Sequence, residues 1–151
     1  MNKEKINWCL KQKNGIEIIE IKPHLSQSYL KEADETLENM FITKGKWKVI
    51  TAYYACYNAL YSILMKSGIK CEIHDCTIQL MSMFEFENKE IKYMEKLKDD
   101  RIKTQYYLKE INLKNENEVK DFISKCKNIL NNLNSKKIEQ IRDRLREVQH
   151  E

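Results

Sequence analysis

Turn-forming residues are scarce in this sequence, which has three Gly and one Pro among its 151 residues. All-β folds turn the chain about every 8 to 12 residues and use Gly and Pro at many of those turns. The shortage argues against a β-rich fold and favours helices. A chain of this length is expected to form one domain with one core, because single domains cluster near about 100 to 150 residues.

Long apolar segments are also missing. The longest stretch without a charged residue, 49–65, has 17 residues and includes Thr51, Asn58 and Ser62. It is shorter than the roughly 20 apolar residues that a membrane span needs. The first five residues are polar and do not resemble the apolar core of a signal peptide. We therefore expect no membrane association and a cytoplasmic location.

Several motifs that mark well-known enzyme sites are absent. The sequence has no Gly-rich phosphate loop, no GxSxG and no HExxH, which argues against P-loop enzymes, serine hydrolases of the elbow type and zinc proteases. Its net charge of +4 is mild, and acidic and basic residues are interspersed. Charge alone therefore does not indicate nucleic-acid binding.

The five cysteines are an odd number and include no CxxC pair, so we expect reduced thiols in a cytosol. Cys71, His74 and Cys76 lie within six residues, but a zinc site needs four ligands and no second cluster supplies the fourth. We therefore predict no metal and no cofactor. The side chain of His74 or Asp75 is expected to cap the helix that follows.

Two segments near the middle of the chain have strong helical patterns. Ser26 is predicted to cap a helix that ends near Gly45 and has one apolar face. That face consists of Tyr29, Leu30, Ala33, Leu37, Met40 and Phe41. The segment from Trp47 to Ser67, closed by Gly68, is apolar or weakly polar on every side, which is typical of a central helix.

The second half of the chain predicts further helices. Shorter ones are expected around Ile78 and after Asn88, and another at 101–110, preceded by Asp99 and Asp100. The clearest begins at Asn115 or Asn117. Its inward face is Val119, Phe122, Ile123, Cys126, Ile129, Leu130 and Leu133. Residues 6–22, before Pro23, are predicted to form an extended hook.

Together these patterns predict an all-α fold, an up-and-down bundle of four to five helices. We divide the chain into an N-terminal hook (1–25), a helical bundle (26–134) and a C-terminal helical tail (135–151). The tail has a narrow apolar seam that is expected to dock on another surface. The seam consists of Ile138, Ile141, Leu145 and Val148.

The central helix has a stripe of small residues, Ala52, Cys56 and Ala59, next to a face on which Tyr53 and Tyr57 repeat every four residues. Small residues let helices approach closely, so core packing is one interpretation. The other is a self-association interface formed by these five residues, because Tyr is favoured at interfaces.

A second candidate site is the segment from Arg101 to Tyr107. An Arg side chain can grip a phosphate with two parallel hydrogen bonds, and Tyr106 and Tyr107 follow Arg101 by five and six residues. Residues five apart on a straight helix point about 140° away from each other. Arg101 and Tyr106 are therefore expected to share a site only through a distorted helix start or a second subunit.

Several of these segments resemble the HEPN family of helical proteins. The resemblance lies in the run Ala52-Tyr53-Tyr54-Ala55, which continues through 58–61 to Met65, Gly68 and His74, and in the later Arg-x4-Tyr. With the flanking helices it covers about residues 26–133. It implies a four- or five-helix bundle, often a homodimer, that acts as a metal-independent RNase or as a toxin paired with a minimal nucleotidyltransferase.

The resemblance also implies roles for individual residues. The family's catalytic motif is an Arg followed after four to six residues by a His; Arg101 matches the Arg, and Tyr106 or Tyr107 stands where the His would be. An unperturbed Tyr, with a pKa near 10, is a poor general base at neutral pH. His74 would replace the missing His if the fold brings it near Arg101, and Arg101, Gln105 and His74 would then bind the phosphate.

Two functions follow from this pattern. The first is a toxin-type endoribonuclease whose Arg101 and Tyr106 lie in a groove between two subunits and act on RNA, with Tyr106 or Tyr107 as a modification point. The second is a non-catalytic module that binds a nucleotide or a nucleotidyltransferase partner. Asp99 and Asp100 favour the second, because they are expected to neutralise Arg101 and repel RNA. A purely structural bundle with Arg101 in a surface ion pair is a third possibility.

Overall fold

The structure is a computed structural model that describes residues 1–151. Seven helices and one two-stranded sheet make up the fold, so the all-α prediction is confirmed. The helices are α1 (Lys3–Lys11), α2 (Pro23–Ile42), α3 (Lys46–Lys66), α4 (His74–Leu80), α5 (Asn88–Tyr106), α6 (Glu116–Asn132) and α7 (Ser135–Gln149). The strands β1 (Glu17–Ile18) and β2 (Ile69–Lys70) pair antiparallel, and a 3-10 turn at Met81–Met83 follows α4.

Helix α3 is the centre of the bundle. Fourteen of its 21 residues are buried, because α2, α5 and α6 pack around it. The side chains of Tyr53 and Ala55 are completely covered, although they point to nearly opposite sides of the helix. A helix that is apolar on every side can only be stable when neighbours cover every side, as the sequence predicted.

The five residues assigned to a self-association interface are buried within a single chain. Ala52, Tyr53, Cys56 and Ala59 have no exposed surface, and Tyr57 is 9% exposed. These side chains are covered by the chain's own helices, so they are not available to a second subunit. The interface assignment is therefore wrong, and core packing accounts for the stripe.

The N-terminal segment is a helix where an extended hook was expected. The side chain of Asn2 accepts a hydrogen bond from the backbone N–H of Lys5 and caps α1. Ile6 and Cys9, three residues apart, lie on the face of α1 that is buried in the core, whereas Trp8 is 55% exposed. The one strand of this segment is β1. The sequence did not predict this helix because its buried face has only two residues, Ile6 and Cys9.

Two cysteines are joined by a disulfide, which contradicts the expectation of five reduced thiols. Cys9 of α1 is bonded to Cys76 of α4. The other three, Cys56, Cys71 and Cys126, are free and buried. The two partners are 67 residues apart in the sequence, and proximity of this kind comes from the packing of α1 on α4. Cysteine spacing alone does not reveal it.

Several helix boundaries differ from the predicted ones. Helix α2 begins at Pro23, which suits a first helical turn because Pro has no N–H to leave unpaired, and Ser26 lies inside it, donating to the carbonyl of Ser62 at 2.6 Å. Helix α5 runs without interruption to Tyr106, so Asp99 and Asp100 begin no new helix. The cap at Asn115 is confirmed, because its side chain accepts from the N–H of Asn117.

The C-terminal tail docks on the N-terminal part of the chain. Its apolar seam is buried as predicted, and α7 packs against α1. Arg142 of α7 donates to the carbonyls of Ile19, Ser67 and Gly68, at 2.8, 3.2 and 2.9 Å. Gly68 has φ +69°, and a Cβ there would lie 2.6 Å from the carbonyl oxygen of Ile19. The glycine is therefore required for this close approach.

Enlarging Cys56 tests the packing around α3. Cys56 has no exposed surface, so we expect Cys56→Phe to lower the free energy of unfolding by about 1 to 3 kcal/mol through overpacking. Urea unfolding followed by circular dichroism measures this change, with Cys56→Ala as the control that removes the thiol without adding volume. An unchanged midpoint in the Phe variant would contradict close packing at this position.

No helix of the chain has both the length and the apolarity that crossing a bilayer requires.

Candidate functional site

Arg101 is a nearly buried cation with no carboxylate partner. Its side chain belongs to α5 and is 7% exposed. Nη1 donates to Tyr54 Oη at 3.2 Å and to Gln105 Oε1 at 3.3 Å. Asp99 and Asp100, expected to neutralise it, instead pair with Lys103 at 2.8 Å and Lys96 at 4.0 Å. That expectation was wrong because successive residues of a helix point in different directions.

Three aromatic rings surround the guanidinium group. Its central carbon lies 4.8 Å from the ring centroid of Tyr53, 5.5 Å from that of Tyr54 and 5.9 Å from that of Tyr106. The negative face of an aromatic ring attracts a cation at these distances. The rings lower the cost of burying the charge, but neutral rings leave the positive charge itself uncompensated.

The unpaired atoms of Arg101 show where a ligand could bind. Nε is buried and has no hydrogen-bond partner. Nη2 makes no hydrogen bond either, but it is not among the fully buried atoms without a partner. Nη2 is therefore the donor of this cation that an anion could contact from solvent.

His74 stands at the start of α4, against the tyrosines of α3. Its Nδ1 is 2.7 Å from Tyr53 Oη. Its ring stacks on that of Tyr57, with centroids 4.2 Å apart and planes inclined by 19°. Arg101 and His74 thus both contact Tyr53 within one chain. The sequence left open whether His74 lies near Arg101, and the structure brings the two together.

The environment of His74 keeps its imidazole neutral. Burial lowers the pKa of His74, and the positive charges of Arg101 and Lys98 lower it further, against the opposing effect of Asp75. Asp75 is itself paired with Lys98 at 2.6 Å. Burial also raises the pKa of Tyr53, so the phenol keeps its proton.

The hydrogen bond between these two side chains assigns the tautomer of His74. Tyr53 has no exposed surface and its phenol has no other hydrogen-bond partner. We therefore assign its O–H as the donor to Nδ1, which places the imidazole proton on Nε2. Nε2 makes no hydrogen bond in the chain. His74 therefore offers an N–H donor in addition to that of Arg101. The carboxylate that faces His74, that of Asp75, is already paired with Lys98.

The two tyrosines predicted as catalytic differ in position. Tyr106 is the last residue of α5 and is 64% exposed, and its ring reaches the guanidinium of Arg101. The expectation that Arg101 and Tyr106 could not share a site within one straight helix is wrong, because helical side chains lean towards the N-terminus and both of these side chains are long. Tyr107 is 70% exposed and has no such contact, so it stands outside the cluster.

Some members of the site were not predicted from the sequence. Tyr54 was noted only as part of the HEPN-like run, and Tyr53 and Tyr57 were assigned to an interface. The repeat of Tyr every four residues places several phenols on neighbouring faces of α3, and that was the available signal. No sequence signal pointed to Lys98 of α5, because its pairing with Asp75 depends on how α4 and α5 pack.

Comparisons of this chain with protein-family models, with curated proteins and with solved structures give no match. The HEPN resemblance therefore stays a prediction from the sequence motifs. The chemistry of the site carries the functional argument.

The lowered pKa of His74 predicts how stability depends on pH. The unfolded chain takes up the imidazole proton at about pH 6.5, before the folded chain does, so the free energy of unfolding should decrease as pH falls through this range and on to the folded pKa. We expect His74→Gln to remove part of that decrease. Urea unfolding of both proteins at about pH 7.5 and 5 measures it, and equal decreases would contradict the assignment.

Proposed function

We propose that this chain is a HEPN-type module that binds the phosphate group of a nucleotide or of RNA at Arg101 and His74, without cleaving it. The observation that carries the proposal is the nearly buried guanidinium of Arg101, which has no carboxylate partner. An unpaired buried charge is costly for folding. An anionic ligand bound beside Arg101 would compensate the charge, so the unpaired cation is explained if the site binds such a ligand.

The donor pattern favours phosphate over a cation or an apolar ligand. Arg101 Nη2 supplies a charged N–H donor, and His74 Nε2 supplies a neutral one. Gln105 is held by Arg101 through its Oε1, so its amide N–H group is left to donate as well. Phosphate oxygens accept several hydrogen bonds at once, and charge-assisted bonds of this type are the strong ones.

Exposed apolar side chains lie in two chain segments, 41–47 and 106–108. They are Phe41, Ile42, Trp47, Tyr106, Tyr107 and Leu108, which are between 41% and 80% exposed. The two chain segments meet at a cavity of about 370 Å³ lined by Gly45, Lys46 and Leu108. Exposed apolar groups in one region are typical of protein interfaces, which supports the homodimer that the resemblance implies. In this proposal Tyr107 contributes to the subunit contact.

The nucleotidyltransferase partner and the cytoplasmic location remain proposals that rest on the sequence. An adjacent gene for a small nucleotidyltransferase would support the first. The disulfide between Cys9 and Cys76 bears on the second, because disulfides are uncommon in most cytosols apart from those of hyperthermophiles.

Replacing Arg101 with Met separates binding from stability. We expect Arg101→Met to weaken the binding of AMP and of a short single-stranded RNA at least tenfold, while the melting temperature stays the same or rises because a buried charge is removed. Isothermal titration calorimetry and thermal unfolding measure the two effects. A lower melting temperature with unchanged binding would show that Arg101 is structural.

Arg142→Met is the matched control. Arg142 is a partly buried Arg, but it donates to three backbone carbonyls and pairs with Glu139 at 3.4 Å. Its loss leaves those carbonyls without their partner, so we expect a lower melting temperature and unchanged nucleotide binding.

Metal-independent RNA cleavage is the second candidate function. It is favoured by the position of His74, a neutral imidazole that contacts the same Tyr53 as Arg101. Arg101 would stabilise charge on the phosphate, and His74 would remove the proton of the 2′-hydroxyl. This needs the other tautomer, in which Nδ1–H donates to Tyr53 and Nε2 is free to accept.

RNA incubation in EDTA decides between the two candidates. We expect no cleavage of a mixed single-stranded RNA pool between about pH 6 and 9, because Tyr53 holds His74 in the tautomer that lacks a free base. Gel analysis of the products, with Arg101→Met and His74→Gln as controls, measures this. Cleavage by the unmodified chain that both variants lose would establish the RNase instead.

A further inference from the structure

The disulfide lies close to the candidate site. Cys76 is two residues after His74 on α4, and its partner Cys9 is on the buried face of α1. Thus the helix whose first residue stacks on Tyr57 is covalently attached to the N-terminal helix, from which it is separated by β1, α2, α3 and β2.

Both linked helices are short. Helix α1 has nine residues and α4 has seven, and helices shorter than about 12 residues are marginal by themselves. They depend on packing, in which α1 contacts α4 and α7, and α4 contacts α1 and α5. The remaining contacts between the N-terminal segment and the start of α4 include a single backbone hydrogen bond, from Glu72 N–H to the carbonyl of Asn14 at 2.9 Å.

The two sulfurs are nearly enclosed but lie below an open cleft. Cys9 is 2% exposed and Cys76 is not exposed. A cavity of about 470 Å³ beside them is lined by both cysteines and by Trp8, Asp75 and Glu95. A thiol reductant could enter this cleft, and a small outward movement of α1 would give it access to the sulfurs.

We propose that the Cys9–Cys76 disulfide is a redox control that fixes the position of His74 in the candidate site. When oxidised, it holds the beginning of α4 against the tyrosines of α3. When reduced, α1 and α4 separate and His74 leaves its contacts with Tyr53 and Tyr57. The consequence for phosphate binding rests on the function proposed above, but the movement of His74 does not.

The reductant is a dithiol, which supplies two electrons and two protons. One of its thiolates attacks a sulfur of the disulfide and forms a mixed disulfide, and the other protein sulfur leaves as a thiolate that takes up a proton. The second thiol of the reductant then attacks the mixed disulfide. The products are two cysteine thiols and the oxidised dithiol.

Counting thiols tests the first requirement. In the unfolded, unreduced chain we expect three of the five cysteines to react with a chromogenic thiol reagent, since three are free, and all five to react after reduction. The protein is purified without reductant and left exposed to air in the absence of copper. Five reactive thiols before reduction would then overturn the proposal.

Proton NMR of the histidines tests the control itself. The chain has three His, so the signal of His74 can be assigned with His74→Gln. The groups facing it are Tyr53, Tyr57, Lys98, Arg101 and Asp75. In the oxidised chain we expect its pKa below the ordinary value of about 6.5, and after dithiothreitol we expect it to rise towards that value. Identical titrations in the two states would overturn the proposal.

Two variants and one spectrum serve as controls. Cys71→Ser keeps the disulfide and should keep the redox response, whereas Cys9→Ser should behave as the reduced chain does under both conditions. Far-UV circular dichroism must stay largely helical after reduction. Complete loss of the helical signal would also overturn the proposal, because the disulfide would then hold the whole fold.

AMP titration of the two redox states separates this proposal from the proposed function. We expect the reduced chain to bind AMP at least threefold more weakly than the oxidised chain. Absence of binding in both states would contradict the phosphate site alone, and the His74 titration would still decide whether the disulfide controls that residue.

Discussion

The rest of the molecule depends on the burial of α3. A helix that has apolar side chains in every direction cannot be covered by one neighbour, so α2, α5 and α6 are each needed to keep it from water. The candidate site is a consequence of this arrangement. The phenols of Tyr53, Tyr54 and Tyr57 lie on α3, and the helices that cover it bring Arg101 to them while α4 brings His74.

Burial of one charged group in such a core sets a second constraint. The guanidinium of Arg101 has aromatic rings and an amide oxygen around it but no anion. By contrast, Arg142 donates to three backbone carbonyls, two just after the end of α3 and one just after β1. The two arginines also differ in charge pairing, because Arg142 lies 3.4 Å from a carboxylate oxygen of Glu139 and Arg101 has no carboxylate partner.

The sequence predicts the parts of this fold that depend on local pattern. The central helix, the cap at Asn115 and the buried seam of α7 follow from periodicity and from the residue types at the ends of helices. Helix α1 was missed because its strongest apolar residue, Trp8, is exposed, and a row of two buried residues gives little signal. The split predicted at Asp99 was wrong because acidic residues also suit the exposed face of a continuous helix.

The site was predictable only in part. Arg101 could be identified from its residue type and the motif around it, and His74 was a conditional candidate. The contact of both with Tyr53 depends on how α3, α4 and α5 pack, and so do the pairing of Asp75 with Lys98 and that of Cys9 with Cys76. The spacing of residues along the chain does not show which distant residues come into contact in the fold.

The positions of the two tryptophans determine what the chain's intrinsic fluorescence reports. Trp8 and Trp47 are both more than half exposed, whereas the rings of Tyr53, Tyr57 and Tyr61 follow one another in a row in the core. Tryptophan emission therefore reports local surroundings. The emission of Trp8 responds to the neighbouring sulfurs, and that of Trp47 responds to any molecule that covers the exposed apolar side chains around it. Tertiary order in the interior is instead recorded by the near-ultraviolet dichroism of the tyrosines.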